Sequence, residues 1–259
     1  MHKDKKSILI LQKRYIMYKA EKIVPYESDS PKHVQIEKMF DDISGQYDFL
    51  NHALSLGLDK YWRKKGILAL KEYVPQIILD IATGTGDLAL EAHRLLKPEK
   101  ILCIDISEKM MAIGKEKVSK AGLSEIINFK RQNCTCLQLD SNSFDAAIVA
   151  FGIRNFEDLD KGLQEIHRVL YPGGMLMILE LSTPEHFPMK QGYRIYSSLI
   201  PKIGKWISRS KGAYKYLPKS ISAFPQNAEM VAILKKNDFS EANFRKLSGG
   251  ICSMYLARK

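Results

Sequence analysis

The chain has 259 residues, of which 45% are hydrophobic, and its formal net charge is +11. No stretch approaches the ~20 apolar residues of a membrane-spanning helix, and the short apolar run at 8–11 does not fit a secretory signal. Its four cysteines form no regular disulfide framework, which favours a reducing compartment. These features predict a cytoplasmic protein, with peripheral contact on the inner face of the membrane as an extension of that prediction.

The positive charge is concentrated in two segments. Residues 1–22 carry a net charge of +5 and residues 186–228 carry +8 without a single acid. A basic field of this kind attracts nucleic acid or anionic lipid. We therefore predict a basic N-terminal extension over 1–30 and a catalytic domain over 31–259, the latter with a basic helical insertion at 186–226.

In chain order, apolar residues at helical spacing predict helices over 31–75 before the first strand. Strands then alternate with helices, and this alternation predicts a mostly parallel α/β sheet. The predicted strands are 77–81, 100–106, 127–134, 144–151 and 175–181. Three helices are predicted between these strands: one that starts near 88, one at 110–121 and one at 159–170. A sharp turn is predicted at 172–174, after the third helix.

The C-terminal part predicts a different pairing. A helix at 227–237 is followed by strands at 242–247 and 251–257, joined by Gly249-Gly250. Two strands separated by so short a glycine turn form an antiparallel pair. A seven-stranded, mostly parallel sheet that ends in such a hairpin is typical of Rossmann-like class I methyltransferases, whereas dehydrogenases usually continue with a second α/β half.

The first strand runs into a glycine turn that predicts a nucleotide-cofactor site. Residues 77–87 pass from an Ile-rich strand through Asp80 and Thr83 to Gly84-Thr85-Gly86. These glycines let the backbone approach a ligand, and the following helix offers its positive N-terminus. The segment also fits the dinucleotide pattern G-x-G-x-x-G/A. Asp80 and Asp87 bracket the glycines and would repel a pyrophosphate, so the local charge favours S-adenosylmethionine, which has an ammonium, a sulfonium and no phosphate.

Ligands of open α/β sheets bind at the carboxyl ends of the strands. Asp105 ends the second strand, where its carboxylate could accept both ribose hydroxyls, or cap the next helix together with Ser107. Asn133 follows the third strand and could meet the adenine edge or be a plain loop residue. Cys134 and Cys136 are interpreted as small core residues rather than a metal pair, because no second pair has ligand spacing, and no metal site is predicted.

Four ordered blocks resemble the quinone C-methyltransferases of menaquinone and ubiquinone biosynthesis, over residues 33–258. The first block has Tyr47-Asp48, Asn51, Ser55 and Trp62, and the others lie at 151–155, 168–182 and 214–221. The chain departs from the family pattern at Asp59, where His is usual, at Tyr171, where Lys is usual, and at Ala150, where relatives often have Ser.

The resemblance implies a set of site residues. By the resemblance, Thr85, Asp105, Asn133 and Cys134 contact the cofactor. With the glycine turn and the strand ends, the full predicted set adds Asp80, Thr83, Gly84, Gly86, Ile106 and Ala150. The predicted reaction is transfer of a methyl group to a ring carbon of a reduced polyprenyl quinone, a naphthoquinol or else a benzoquinol. Arg154 would hold the phenolate, Asn155 and Tyr47 would orient the quinol, and Asp48 is a candidate base.

The basic insertion is consistent with a quinol substrate that is located in a membrane. Tyr196, Leu199, Ile200, Ile203 and Ile207 recur at helical spacing, and Lys202, Lys205, Arg209, Lys211 and the interfacial Trp206 surround them. Such a segment lies on an anionic bilayer, covers an apolar ligand, or packs on the sheet with a solvated face. We also consider a homodimer.

Three other classes of protein are alternative interpretations of this sequence. A nucleic-acid methyltransferase is disfavoured because the basic segment is interleaved with aliphatic residues and no Asn/Asp-Pro-Pro-Tyr-like motif is present, so no nucleic acid is predicted as a partner. A lipid-binding protein without catalysis is disfavoured by the intact Asp80, Gly84 and Asp105. A flavin or nicotinamide dehydrogenase is disfavoured by the acidic glycine loop.

Overall fold

A computed structural model describes residues 17–207 and 211–259, including their side chains except those of residues 199–207 and 211. Within this part of the chain, seven strands form one sheet in the order β3-β2-β1-β4-β5-β7-β6. The strands are β1 Ile77–Ile81, β2 Lys100–Asp105, β3 Ile127–Arg131, β4 Phe144–Ala150, β5 Leu170–Leu181, β6 Glu241–Leu247 and β7 Cys252–Arg258. The first five pair in parallel, and β7 pairs antiparallel with both β5 and β6. The predicted fold class is confirmed.

Helices cover the sheet and its carboxyl edge. In chain order they are α1 Lys32–Ile43, α2 Tyr47–Leu54, α3 Leu58–Leu68, α4 Asp87–Leu96, α5 Glu108–Lys120, α6 Leu159–Val169, α7 Met189–Ile207, α8 Lys211–Ala223 and α9 Ala228–Lys236. None of them, within the described ranges, is both long and apolar enough to cross a membrane.

Alternate residues of the buried strands pack on opposite faces, as the period of two requires. Leu79 and Ile81 of β1 point to the layer formed by α6 and α9, where Leu163 and Leu234 are fully buried. Ile78 points to the other layer, formed by α3, α4 and α5. Both faces are therefore covered, which explains why the central strands read as continuous apolar runs rather than alternating ones.

A third apolar cluster lies off the sheet. It joins α1, α2 and α8 through Ile36, Met39, Leu50, Tyr214 and Tyr216. Helix α1 is also tied to the loops that follow the strands: Ser107 donates to Asp41 at 2.6 Å, and Arg131 pairs with Glu37 at 2.6 Å. The N-terminal helices and the insertion thus form a roof over the carboxyl ends of the strands.

Two predicted strand boundaries differ from the structure by three residues or more. Helix α6 ends at Val169 and β5 begins at once, so the predicted turn at 172–174 is an irregularity inside β5: Phe144 pairs with Leu170, and the next pair is Ala146 with Met175. Strand β3 ends at Arg131, three residues early, because Asn133 starts a turn in which Cys136 N–H donates to its carbonyl.

Residues 17–30, assigned by sequence to the extension, pack on the domain. Ala20 is buried in the core, and Glu21 accepts a hydrogen bond from the N–H of Leu159 at 2.8 Å. Residues 1–16 lie outside the described part. The insertion consists of α7 and α8, and the predicted apolar stripe beyond Tyr196, with Trp206 and its flanking cations, falls on side chains outside the description.

Candidate active site

Four cavities open under the roof of helices, and Tyr47 lines all of them. The first, of about 710 Å³, lies between α1 and the ends of β1, β2 and β4. The second, of about 1290 Å³, lies between α2, α3 and α7 and has mostly apolar walls. The third, of about 470 Å³, runs toward α8, and the fourth, of about 390 Å³, lies over the glycine turn. The first and second share Tyr47 and Phe151.

The glycine turn has the backbone that the sequence requires. Gly84 and Gly86 have positive φ values of 56° and 78°, and Ala82 before them is also left-handed, with φ 52°. A side chain on Gly86 would lie 3.2 Å from the ring of Phe129, so this glycine serves packing and the entry into α4. The turn therefore brings its main chain close to the fourth cavity, which Thr83, Gly84 and Thr85 line.

Asp80 is a buried carboxylate under this turn. Its Oδ2 accepts the hydroxyl of Thr83 at 2.6 Å, and among the described residues its Oδ1 has no hydrogen-bond partner. Burial, with a smaller contribution from Asp105, raises the pKa of Asp80 to about 7. The site thus holds an acceptor that gains from a positively charged ligand group.

Asp105 joins two loops. Its Oδ2 accepts the N–H of Gly84 at 2.8 Å, and its Oδ1 accepts the N–H of Ser107 at 2.9 Å. Burial raises the pKa of Asp105, while these N–H donors oppose the shift. Ser107 caps α5 by accepting from Met110 N–H at 3.2 Å. The helix cap is thus separate from the carboxylate, which lines the first cavity together with Ile106.

The loop after β3 completes the first cavity. Asn133 and Cys134 both line it, and Asn133 Oδ1 accepts the N–H and hydroxyl of Thr135 at 3.0 and 2.9 Å. Burial raises the pKa of Cys134, so it is a neutral thiol. Cys136 is exposed, and its interpretation as a core residue was wrong because the turn at Asn133 directs it outward.

A chain of charges crosses the cofactor side from α2 to α5. Asp48 Oδ1 accepts the Thr85 hydroxyl at 2.6 Å, and its Oδ2 pairs with Lys117 at 2.5 Å. Lys117 also pairs with Asp87 at 2.7 Å, and Asp87 with Arg63 at 3.1 Å. Asp48 lines none of the four cavities. Both of its oxygens are engaged, so its geometry is that of a group that positions Thr85.

Arg154 is a buried cation at the floor of the second and third cavities. Only 7% of it is exposed, and its Nη1 donates to Glu180 Oε1 at 2.6 Å and to the carbonyl of Phe151 at 2.5 Å. Its Nε has no partner among the described residues. Burial alone would lower the pKa of Arg154. Glu180, Tyr216 and Tyr47 raise this pKa by more than burial lowers it, so the guanidinium stays charged.

The segment after β4 separates the first two cavities. Phe151 is left-handed, with φ 60°, and packs edge-on to Trp62 at 6.0 Å between ring centroids. A Cβ on Gly152 would lie 2.5 Å from that of Ala82, so only glycine allows the two strand-end loops to meet. This close approach fixes Phe151 between the cavities.

Most predicted cofactor residues converge. Nine of the ten line the first or fourth cavity, and Gly86 alone does not. Tyr47 lies where the cavities meet, and burial raises its pKa. Asn155 faces the first cavity, not the second, and its Oδ1 accepts the hydroxyl of Tyr216 at 3.0 Å.

Three residues escaped the sequence reasoning. Glu180 partners Arg154, His33 lines the first cavity and pairs with Glu157 at 2.5 Å, and Arg63 lines the second and fourth cavities. For Arg63 the sequence did hold a signal, since Asp59 precedes it by one helical turn.

The sheet order, the terminal hairpin and the acidic strand ends together define an S-adenosylmethionine-dependent methyltransferase of class I. Solved structures agree in fold: an S-adenosylmethionine-dependent methyltransferase from Aquifex aeolicus aligns with a TM-score of 0.55 at 20% identity, covering 74% of this chain and 88% of that one. A second from Thermotoga maritima aligns with a TM-score of 0.57 at 17% identity, covering 86% and 99%.

Residues 28–259 match the model of the ubiE/COQ5 methyltransferase family, and the chain belongs to that family. A demethylmenaquinone methyltransferase of Bacteroides fragilis is 55% identical over 93% of this chain and 99% of its own. One from Porphyromonas gingivalis is 45% identical over 94% and 100%. A ubiquinone/menaquinone biosynthesis C-methyltransferase of Geotalea daltonii is 41% identical over 88% and 97%.

The residues present fit S-adenosylmethionine. The unpartnered Oδ1 of Asp80 suits the cationic side of the cofactor, and the Asp105 carboxylate lies where ribose hydroxyls can donate. When bound, this cofactor supplies an electrophilic methyl group on its sulfonium. The protein's task is to align a nucleophile with that methyl group and to exclude water.

Proposed function

We propose that this enzyme methylates a ring carbon of a reduced polyprenyl quinone, with demethylmenaquinol as acceptor and menaquinol as product. The two relatives at 55% and 45% identity bear the name demethylmenaquinone methyltransferase, which supports the naphthoquinol. The observation that carries the proposal is the second cavity: it is large and apolar, holds Arg154 at its floor, and meets the first cavity at Tyr47 and Phe151.

In this proposal Arg154 holds the phenolate of the acceptor. A quinol that loses its phenolic proton becomes nucleophilic at the neighbouring ring carbon, and a fixed cation lowers the energy of that anion. Glu180 and the Phe151 carbonyl hold Nη1 in place, which leaves Nε as a buried donor without a protein partner in the described residues. The guanidinium is thus a fixed cation in the cavity lining, preorganised to stabilise an oxyanion.

Tyr47 would orient the quinol ring from the wall that the cavities share. Asn155 and Asp48 receive supporting roles instead of direct ones. Asn155 fixes the hydroxyl of Tyr216, and Asp48 fixes Thr85 and Lys117. Asp59 lines the second cavity, but Ser55, Arg63 and His52 outweigh its burial and lower its pKa, so it is a weak base.

The test of the reaction uses the protein with S-adenosylmethionine and each reduced, demethylated acceptor, a naphthoquinol and a benzoquinol of matched prenyl length. We expect the naphthoquinol to gain one methyl group by mass spectrometry, on carbon by NMR. Oxidised acceptors serve as the control, because they lack the phenolic proton. Methyl transfer to oxygen, or to neither quinol, would contradict the proposal.

The benzoquinol is the second candidate acceptor. It is favoured by the relative at 41% identity, whose name covers both ubiquinone and menaquinone biosynthesis. The same experiment separates the two candidates, since the ratio of kcat/KM for the two quinols measures the preference directly.

We further propose peripheral contact with a membrane at the mouth of the second cavity. Leu56 lines this cavity and is 84% exposed, and Phe187, 79% exposed, precedes the lining residue Pro188. Ile195 on α7 is 65% exposed beside Tyr196, whose hydroxyl donates to the Leu54 carbonyl across the cavity. Exposed large apolar side chains around one opening are typical of an interaction site.

Vesicle flotation tests this contact. Leu56→Ser with Phe187→Ser should weaken binding to anionic vesicles, and so should neutral replacements of Lys202, Lys205 and Arg209. Val74→Ser is the matched control, because Val74 is 66% exposed but precedes β1, at the opposite edge of the sheet from the cavities. Binding that responds equally to the control, or to none of these changes, would overturn the proposal.

A further inference from the structure

Arg63 is a buried cation at the boundary of two cavities that none of the roles above explains. It lies on α3, is 8% exposed, and lines the fourth cavity as well as the second. Its ion pairs with Asp59 at 2.5 Å and with Asp87 at 3.1 Å both use Nη2. Within the described part of the chain, no hydrogen bond uses its Nε or Nη1.

The two acids beside Arg63 also have other partners. Asp87 pairs with Lys117 through its second oxygen, at 2.7 Å. Asp59 accepts the hydroxyl of Ser55 at 2.6 Å and lies 2.7 Å from Nδ1 of His52. These contacts fix the position of the guanidinium, while two of its nitrogens keep their donor capacity. Nε and Nη1 together carry three N–H groups that can donate to a ligand in the cavity.

The fourth cavity has charges of both signs on its walls. Asp80 supplies an unpartnered carboxylate oxygen, and Arg63 supplies the unused guanidinium donors. The amino-acid end of S-adenosylmethionine is a zwitterion, with one ammonium and one carboxylate. Asp87, the other acid on its walls, is already paired with Arg63 and Lys117. A small cavity with one unpartnered carboxylate oxygen and unused guanidinium donors beside the glycine turn is complementary to that end.

Other cations near this place are occupied or turned elsewhere. Lys117 is bound to Asp48 and Asp87 and is absent from the walls of the fourth cavity. Arg154 lines the second and third cavities and is paired with Glu180. We propose that Arg63 binds the carboxylate of the cofactor's amino-acid end, and that Asp59 and Asp87 position it for this contact.

This assignment gives Asp59 a function. The carboxylate holds Arg63 from one helical turn away and is itself held by Ser55 and His52. It acts as a positioning residue, so Asp59→Asn should weaken cofactor binding less than loss of Arg63 does. Because Arg63 also lines the second cavity, the bound carboxylate would lie beside the acceptor's site.

Calorimetry on the apo protein tests the proposal with two ligands. S-adenosylmethionine has the carboxylate, and decarboxylated S-adenosylmethionine lacks only that group. Arg63→Met should lower affinity for the first by about 10- to 100-fold, the range of a charged hydrogen bond, and leave the second within twofold. Arg63→Lys should recover part of the loss. Lys120→Met is the matched control, since it removes an exposed cation of α5 that pairs with Glu116, outside this network, and should not change the ratio between the ligands.

Two results would overturn the proposal. Equal weakening of both ligands by Arg63→Met would show a purely structural role. Equal affinity of the unaltered protein for both ligands would show that no cation binds the carboxylate, and this measurement stands even if Arg63→Met fails to fold.

Discussion

The cavity that fits the cofactor and the cavity that fits the acceptor are built from different parts of the chain. The first is lined by strand ends and short loops, whose polar groups are held by hydrogen bonds between neighbouring strand ends, such as the one that Gly84 N–H donates to Asp105. The second is lined by α2, α3 and α7, with apolar side chains around one buried cation. One region is therefore fixed by sheet geometry and the other by helix packing, so the two should respond to different mutations.

The largest effect should come from Glu180→Leu on the acceptor side. It leaves the guanidinium of Arg154 buried without its carboxylate, and breaking a buried pair in this way costs about 3–5 kcal/mol. Denaturant unfolding measures the free energy, with the exposed Glu185→Leu as control. A loss below about 1 kcal/mol would mean that Arg154 relaxes toward water, and the acceptor cavity would then be less rigid than the cofactor cavity.

Arg154→Met should separate the two regions most clearly. We expect kcat to fall by about 10²- to 10³-fold, the usual loss when one oxyanion donor is removed, and the affinity for S-adenosylmethionine to stay within twofold. Steady-state kinetics and calorimetry give the two numbers. Arg194→Met, an exposed change on α7, controls for charge. An equal fall of kcat and of the affinity for S-adenosylmethionine would show that the two cavities do not act independently.

The cofactor side should show its own pH dependence through Asp80. Its pKa is raised to about 7, chiefly by burial, and only the carboxylate form attracts the ammonium group of a ligand. Affinity for S-adenosylhomocysteine should therefore level off above pH 7 and fall by about tenfold per unit below it. Methylthioadenosine, which lacks the amino-acid end, should bind independently of pH from 5.5 to 7. Asp80→Asn should abolish the pH dependence of S-adenosylhomocysteine binding, so that both ligands bind independently of pH in this range.

The smallest effect should come from Asp48→Asn. This change keeps an acceptor for Thr85 and weakens only the partly exposed pair with Lys117, so we expect a loss of about 0.5–1 kcal/mol in stability and less than a fivefold change in kcat. A base that takes the phenolic proton would instead lose about 10²-fold or more. Rate measurements across pH 6–9 decide between these outcomes.

Much of the cofactor side could be predicted because its residues are local in the chain. Asp105 ends an apolar strand, and Asp80 precedes the glycine turn. Both positions therefore follow from the apolar pattern of the strands and from the glycines that end it. Parallel strands then bring these ends to one edge of the sheet without further information.

Other contacts, on the acceptor side and in the chain of charges on the cofactor side, join residues that are distant in the sequence. Glu180 meets Arg154 only because β4 and β5 are neighbours, and Arg63, Asp87 and Lys117 come from three helices. The irregularity inside β5 escaped prediction for a similar reason: Gly173 N–H donates to the carbonyl of Lys259, at the far end of the chain. Periodicity within a segment carries no information on such pairs.

The shared wall at Tyr47 and Phe151 has a consequence for inhibitor design. Since the cofactor cavity and the acceptor cavity meet there, one compound that joins an adenosine analogue to an apolar tail through a short linker could occupy both at once. Joining two binding groups turns the second contact into an intramolecular one, so affinity would rise well above that of either half. The linker would run past Tyr47 and Phe151, and the linker length that gives the highest affinity would measure the distance between the two sites.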